Sequence, residues 1–213
     1  MRSSACLIGV TGLPGSGKTA FSSRLAARGA RVVSADAVGH QVLAERAVQR
    51  MLAQTFGAGI LDSAGEVDRQ ALRAHLADVK EVDSLNRIVH PRLLSRLAQA
   101  VGAAMRGPGP VVAVDAALLL EWHIEQYFDL VVLVVSPSEL RYRRLTAAGR
   151  DLPVIEVLEQ SQLREAEKRE RSHFIVDNTT SIERLERSAD ALFAALTRGA
   201  CKETTCPRRL WSD

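Results

Sequence analysis

One string near the start of the chain constrains its fold more than any other feature: Gly12-Leu13-Pro14-Gly15-Ser16-Gly17-Lys18-Thr19. It satisfies G-x-x-x-x-G-K-[ST]. The apolar run Ala5–Val10 before it reads as a buried strand, and after it Phe21 and Leu25 share a helical face that Gly29 closes. Glycines permit the backbone angles that turn successive N–H groups inward, making an anion nest at a helix N-terminus. Lys18 has the reach to span β- and γ-phosphates, and the Thr19 hydroxyl suits Mg²⁺. Coincidence would account for the string alone, but not for a strand before it and a helix after it. Gly12 through Thr19, with Ala20 following, are therefore the expected contacts of ATP or GTP.

A strand, a glycine loop and a helix in that order commit the chain to an alternating architecture. Four more runs rich in Val, Leu and Ile, namely Arg31–Ser34, Val111–Asp115, Leu130–Val135 and Phe174–Asp177, read as strands buried on both faces. Helical spacing links Val38, Val42, Leu43, Met51, Leu52 and Phe56 in one long stripe ended by Gly57. It resumes at Leu72, Leu76, Val82, Leu85, Ile88 and Val89 until Pro91 interrupts it, and returns at Ile182, Leu185, Leu192, Phe193 and Leu196. The expectation is an α/β fold of the P-loop NTPase kind: five parallel strands, helices on both faces, ligands beyond the carboxyl ends of the strands. Residues 1–56 and 107–198 would form the nucleotide-binding core. The almost wholly helical segment 57–106 would form a substrate-binding cap, and the charged segment 149–172 a mobile lid. Residues 199–213 have no apolar period and read as a disordered tail.

Composition narrows the function classes. With 213 residues, 46% of them hydrophobic, the chain can bury a core without disulfides. Its three cysteines, Cys6, Cys201 and Cys206, are an odd count, and the last two read as tail thiols rather than a zinc site. Lys and Arg outnumber Asp and Glu by only 28 to 25, and they are interspersed. The run Arg164–Arg171 therefore reads as a solvated face, Arg141 and Arg143 as surface charges, and no stripe for nucleic acid emerges. Apolar stretches are too short to span a bilayer. A cytoplasmic monomer without nucleic-acid or membrane partners is expected. The guanine-recognition string N-K-x-D is absent from the chain, which disfavours a GTPase and leaves a small-molecule kinase as the economical reading.

Such a kinase needs a group that accepts a proton from the acceptor hydroxyl. Asp36 follows the second strand and fits that role, or the N-cap of the next helix, or both. Asp115 ends the third strand, either to hold the hydration shell of Mg²⁺ or to cap a helix. Beyond these residues the chain carries Phe56-Gly57, Ile60-Leu61, Gly65, Asp68-Arg69-x-x-Leu72-Arg73 and Leu85-x-x-Ile88-x-His90-Pro91 in order. Asp115-x-x-Leu118-Leu119-x-Glu121, Asp129-Leu130-Val131-Val132, Arg144-Leu145, Gln162, Lys168-Arg169 and Ile175-Val176-Asp177-Asn178 follow. Over roughly residues 5–196 this pattern resembles dephospho-CoA kinase, which moves the ATP γ-phosphate to the ribose 3′-hydroxyl of dephospho-CoA.

The resemblance implies ATP and Mg²⁺ as cofactors and dephospho-CoA as the substrate. It makes Asp36 the general base, assisted by Lys18 and Arg144, with Thr19 and Asp115 at the metal. Arg69, His90, Leu118 and Glu121 would face the acceptor, and Asn178 would lie near the nucleotide base. Arg69 pairing with Glu66, His90 as a helix-end residue and Asn178 as a turn residue are the plainer readings. Departures fall mainly in the lid: Ala148 stands where the family carries an arginine, with Arg150 displaced by two residues, and Leu158 replaces a second arginine. Ser172-His173 replaces the usual Ala-Asp, Ala117 the usual proline, and Leu13 a loop glycine. Arg164, Lys168 and Arg171 are candidates to compensate. The alternatives are a kinase for a nucleoside or sugar, and a non-catalytic nucleotide-binding protein with a degraded lid.

Overall fold

The computed structural model describes residues 5–199; Cys201, Cys206 and nearly all of the expected tail lie outside them. Strands β1 (Cys6–Thr11), β2 (Arg31–Ser34), β3 (Val111–Asp115), β4 (Leu130–Val135) and β5 (Phe174–Asp177) form one sheet in the order β2-β3-β1-β4-β5. Every neighbouring pair is parallel. Because the chain builds first to one side of β1 and then to the other, the order reverses at β1, and ligand crevices form at such reversals.

Side chains alternate across the pleat, so the two faces of the sheet bury different residues. Leu7, Val112, Val114 and Val131 pack with Val42 of α2 (Ala35–Leu43), Leu52 of α3 (Arg46–Phe56) and Leu97 of α5 (Val79–Arg106). Ile8, Val10, Val111 and Val132 pack with Phe21 and Leu25 of α1 (Lys18–Ala27) and Leu185 of α9 (Ile182–Thr197). Gly29 lies at φ 103 just past α1, and the N–H of Ala30 returns to the Leu25 carbonyl at 3.0 Å, as a glycine-terminated helix requires.

Three expectations fail, each for a tertiary reason. The outer strands β2 and β5 are only partly covered, and Phe174 is 43% exposed, because an edge strand has a neighbour on one side only. The stripe from Val38 to Phe56 is two helices, and Met51 points outward at 48% exposure. Glu45 sits at the break and accepts from Arg96 Nε of α5 at 2.8 Å, a tie made across 51 residues. Pro91 does not end its helix. The carbonyl it deprives of a partner belongs to Arg87, and both residues are exposed, so that carbonyl is open to solvent and α5 continues. Cys6 at the start of β1 is disulfide-bonded.

The segment 57–106 holds a short 3₁₀ turn at Ala58–Ile60, the helix α4 (Arg69–Ala74) and α5. Leu93, Leu97 and Val101 carry the second half of α5 into the core beneath the sheet. After α6 (Ser138–Ala147), the segment 149–172 holds α7 (Leu152–Gln160) and α8 (Glu165–Glu170). Among the described residues no helix is long and apolar enough to cross a membrane.

Candidate active site

The glycine string forms the loop between β1 and α1. Its glycines are required by geometry: at Gly15 φ is 76 and an added Cβ would lie 2.7 Å from the Arg141 carbonyl oxygen, while Gly17, at φ 100, has the Asn178 amide against it. Gly17 is the N-cap and brings no side chain to satisfy the first turn of α1, which also holds no acidic residue. The first-turn N–H groups therefore face the loop's concavity without partners, as an anion site needs. Inside it Ser16 Oγ is buried without a hydrogen-bond partner. Lys18 Nζ donates to Asp115 Oδ1, at the end of β3. Both are hydrogen-bonded where a triphosphate would sit.

Two cavities meet at one carboxylate. The first, about 470 Å³, is lined by the loop from Gly12 to Thr19, by Arg144 and by the α7 residues Val154, Ile155 and Leu158. The second, about 460 Å³, lies beneath α5 and is lined by His40, Leu85, Val89, His90, Leu118 and Trp122. Asp36 lines both, as do Arg73 and Arg150. The helix cap beside it is Ser34, whose Oγ accepts from the Ala37 N–H at 3.2 Å, so the Asp36 carboxylate is not used as a cap. It is exposed in the first turn of α2. A third cavity, about 860 Å³, opens beside Leu13 and is bounded by Val135, Pro137, Tyr142, Glu159 and Thr179.

Other expected site residues take more constrained places. Asn178 is 5% exposed; its Nδ2 donates to the Ser16 carbonyl at 2.8 Å, and it lines none of these cavities. Arg144 donates to the carbonyls of Gly15 at 3.2 Å and Asn178 at 3.1 Å, and to Ser136 Oγ at 3.0 Å. Together they brace the loop from behind. Arg69 bonds to His40 at 3.0 Å, not to Glu66, and the α4 residue that lines the cavities is Arg73, one turn on. His90 packs edge-on against Trp122, with centroids 5.4 Å apart, and its Nε2 accepts from the indole N–H at 3.4 Å. Burial holds the His90 imidazole below its ordinary pKa, favouring the neutral ring that this bond needs. Glu121 accepts from Lys168 Nζ at 2.6 Å and from the Leu163 N–H at 2.9 Å. It lines a separate cavity on the far side of His90 and does not line the one that holds Leu118. Ala20 contributes through the helix start, its side chain packed toward the core.

Three basic residues depart from the surface roles read in the sequence. Arg141 is 4% exposed; it donates to the Pro14 carbonyl at 3.0 Å and pairs with Glu159 of α7 at 2.5 Å. Lys168 is fully buried, its ammonium held by Glu121 and by the Ala117 carbonyl at 3.0 Å, and burial lowers its pKa. Arg171 is paired with Glu125. Lys168 and Arg171 thus tie the segment 149–172 to the loop that follows β3, where their charges are already paired. Arg150 does line the phosphate cavity. Sequence reasoning passed over Arg73 although it stands at i+4 from Arg69 on the same helix, a spacing that puts both on one face.

The family model for dephospho-CoA kinase matches residues 6–184. The chain belongs to the dephospho-CoA kinase family. A Frankia casuarinae dephospho-CoA kinase is 35% identical over 194 residues, spanning 89% of this chain and 82% of its own length. One from Thermus thermophilus is 33% identical over 196 residues, spanning 91% and 93%. Among solved structures, a Thermus thermophilus protein superposes with a TM-score of 0.71 at 31% identity, covering 91% of this chain and 98% of its own. The Campylobacter jejuni dephospho-CoA kinase shares the fold, with a TM-score of 0.61 at 20% identity. Membership in the dephospho-CoA kinase family makes the chain an ATP-dependent transferase, and the five-stranded parallel sheet is the architecture these relatives share.

Proposed function

We propose that this chain transfers the γ-phosphate of ATP to the ribose 3′-hydroxyl of dephospho-CoA, giving CoA. The observation that carries this reading is the position of Asp36 on the wall shared by the phosphate-loop cavity and the cavity beneath α5. A phosphate in the loop and a hydroxyl in the second cavity would approach each other there, with a carboxylate beside both.

The residues divide the work. N–H groups of the loop and of the first turn of α1 hold the β- and γ-phosphates, and Lys18 leaves Asp115 to join them. The cavity beside Leu13, bounded by Pro137, Tyr142 and Thr179, has room for the base. Among the described residues no group of three His, Cys, Asp or Glu side chains forms an all-protein metal cage. The Thr19 hydroxyl and the Asp115 carboxylate are instead the hard oxygen donors that Mg²⁺ takes alongside phosphate oxygens and water. Bound there, Mg²⁺ would neutralise charge on the transferring group. Leu85, Val89 and Trp122 offer an apolar wall to the pantetheine arm. Holding the hydroxyl in line is the largest gain, because the reaction has little covalent chemistry for the protein to perform. Asp36 accepts the hydroxyl proton as the bond to phosphorus forms.

ADP release with ATP, Mg²⁺ and dephospho-CoA, compared with a nucleoside and a sugar as acceptors, tests the assignment. Asp36→Asn should lower turnover about 10²–10⁴-fold and leave ATP affinity within twofold. Normal turnover by the variant removes Asp36 as base. Tight ATP binding with no CoA formed from saturating dephospho-CoA supports a non-catalytic binder, and faster turnover of another acceptor reassigns the substrate.

A further inference from the structure

Between the two cavities that meet at Asp36 stands a length of backbone that no helix or strand holds. Residues 117–123, which follow β3, form turns, and Ala117 lines both cavities. Such a segment is placed by whatever its polar groups bond to. Here the Ala117 carbonyl accepts twice, from Thr11 Oγ1 at 3.0 Å and from Lys168 Nζ at 3.0 Å. Thr11 is the last residue of β1, directly before the phosphate loop, and Lys168 belongs to α8. One oxygen on the shared wall is thus held from the loop and from the segment 149–172 at once.

Thr11 and Lys168 are both fully buried. A buried ammonium is a costly anchor for a helix, because the charge gives up its water. A methionine would fasten α8 to the core without that cost, so the charge needs a reason beyond packing. Glu121 supplies the counter-charge at 2.6 Å, and the same Oε1 accepts from the Leu163 N–H, between α7 and α8, at 2.9 Å. Ser172 Oγ donates to the Lys168 carbonyl at 2.7 Å, closing the end of α8. The ammonium is therefore held at both its head and its backbone. A carbonyl oxygen has two lone pairs. Two donors fill them, so Ala117 offers no acceptor to a hydroxyl in the adjoining cavities.

We propose that Lys168 is a positioning residue for phosphoryl transfer. With Thr11 it fixes the Ala117 carbonyl, which keeps the wall between donor and acceptor in place and leaves Asp36 to accept the hydroxyl proton. Lys168 lines neither cavity and acts through Ala117. Alignment dominates this reaction, so its loss falls on kcat and not on ATP binding. The proposal rests on the reading of the two cavities given above.

The test is steady-state kinetics of the full chain, with ATP and dephospho-CoA varied in turn, for wild type, Lys168→Met, Thr11→Val and the double variant. Lys168→Met should lower kcat roughly 10- to 100-fold, with KM for ATP within about twofold of wild type. Thr11→Val keeps the shape of the side chain and should lower kcat in the same sense. Because both donors act on one oxygen, the double variant should lose no more than the worse single one, whereas independent sites would multiply their losses. Multiplied losses overturn the proposal. So does a Lys168→Met protein that melts lower yet keeps wild-type kcat, since the ammonium would then be an anchor only. If Lys168→Met does not fold, Thr11→Val decides alone, and an unaltered kcat overturns the proposal. A wild type that forms no CoA from dephospho-CoA sinks the reading of the acceptor, whereas a working wild type matched by its variants sinks only the role of Lys168.

Discussion

Asn178 holds the phosphate loop from a buried position outside the cavities described. Its amide holds the Ser16 carbonyl across 162 residues of sequence, and an added Cβ on Gly17 would collide with it. Asn178→Ala should weaken ATP binding by about 1–3 kcal/mol while leaving preference for adenine over guanine unchanged, as titration with ATP and GTP would show. A change in base preference would instead put Asn178 at the base. The glycine loop and the place of Asp36 just after a strand were legible because both are local: a loop and a strand end are defined by consecutive residues. Arg141 and Asn178 were not, since their partners Glu159, Pro14 and Ser16 are distant in sequence, and no spacing rule links them. Leu158 was legible as a departure from the family, yet only the structure brings it into both cavities beside Arg150.

Among the elements, four of the five strands begin and end where the apolar runs do; for β3 and β4 the reason is that a strand covered by helices must be continuous in branched side chains. Helix boundaries were less legible. The break between α2 and α3 has no glycine or proline and is fixed by Glu45 bonding to α5, whereas Pro91, a conventional stop, lies on a solvated face and stops nothing. Helix α7 is fastened to the loop through Arg141, and Glu159→Ala would leave that buried guanidinium without its carboxylate. The cost should be about 3 kcal/mol, read as a lower Tm and faster amide exchange over residues 152–160. Unchanged exchange there would show that the pair does not hold α7.

Helix α5 carries a pH response. Its His90 is held below the ordinary value of 6.5 by burial, so the unfolded chain binds this proton more readily, and the contribution is intact above 6.5 and lost as pH falls through the folded value. Protonation also removes the acceptor of the Trp122 indole N–H. In a Trp211→Phe background, Trp122 fluorescence should change with a midpoint below 6.5, and His90→Gln should abolish the change. A midpoint at or above that value would refute the burial argument.

On the scale of the whole molecule, the reversal of strand order at β1 puts the loop, Asp36 and the end of β3 on one rim of the sheet. Segment 57–106 does not pack apart from the sheet, since Leu93, Leu97 and Val101 of α5 share one buried cluster with Leu7, Val112 and Val131. Saturating ATP should therefore stabilise the chain as one unit. At 100 times Kd the gain is about 2.7 kcal/mol, or roughly 5–10 °C in Tm for a chain of this size, in a single transition. Two separate transitions, only one of them shifted, would contradict this.

The Lys18–Asp115 bond has a consequence for what the enzyme ignores. An idle loop that supplies its own counter-ion is electrically quiet, so a lone orthophosphate must break that internal pair while offering only one anionic group in return. A polyphosphate chain displaces Asp115 and engages the whole nest at once. The expected outcome is that millimolar orthophosphate competes poorly in an ATP titration, which would be read as an unchanged apparent Kd.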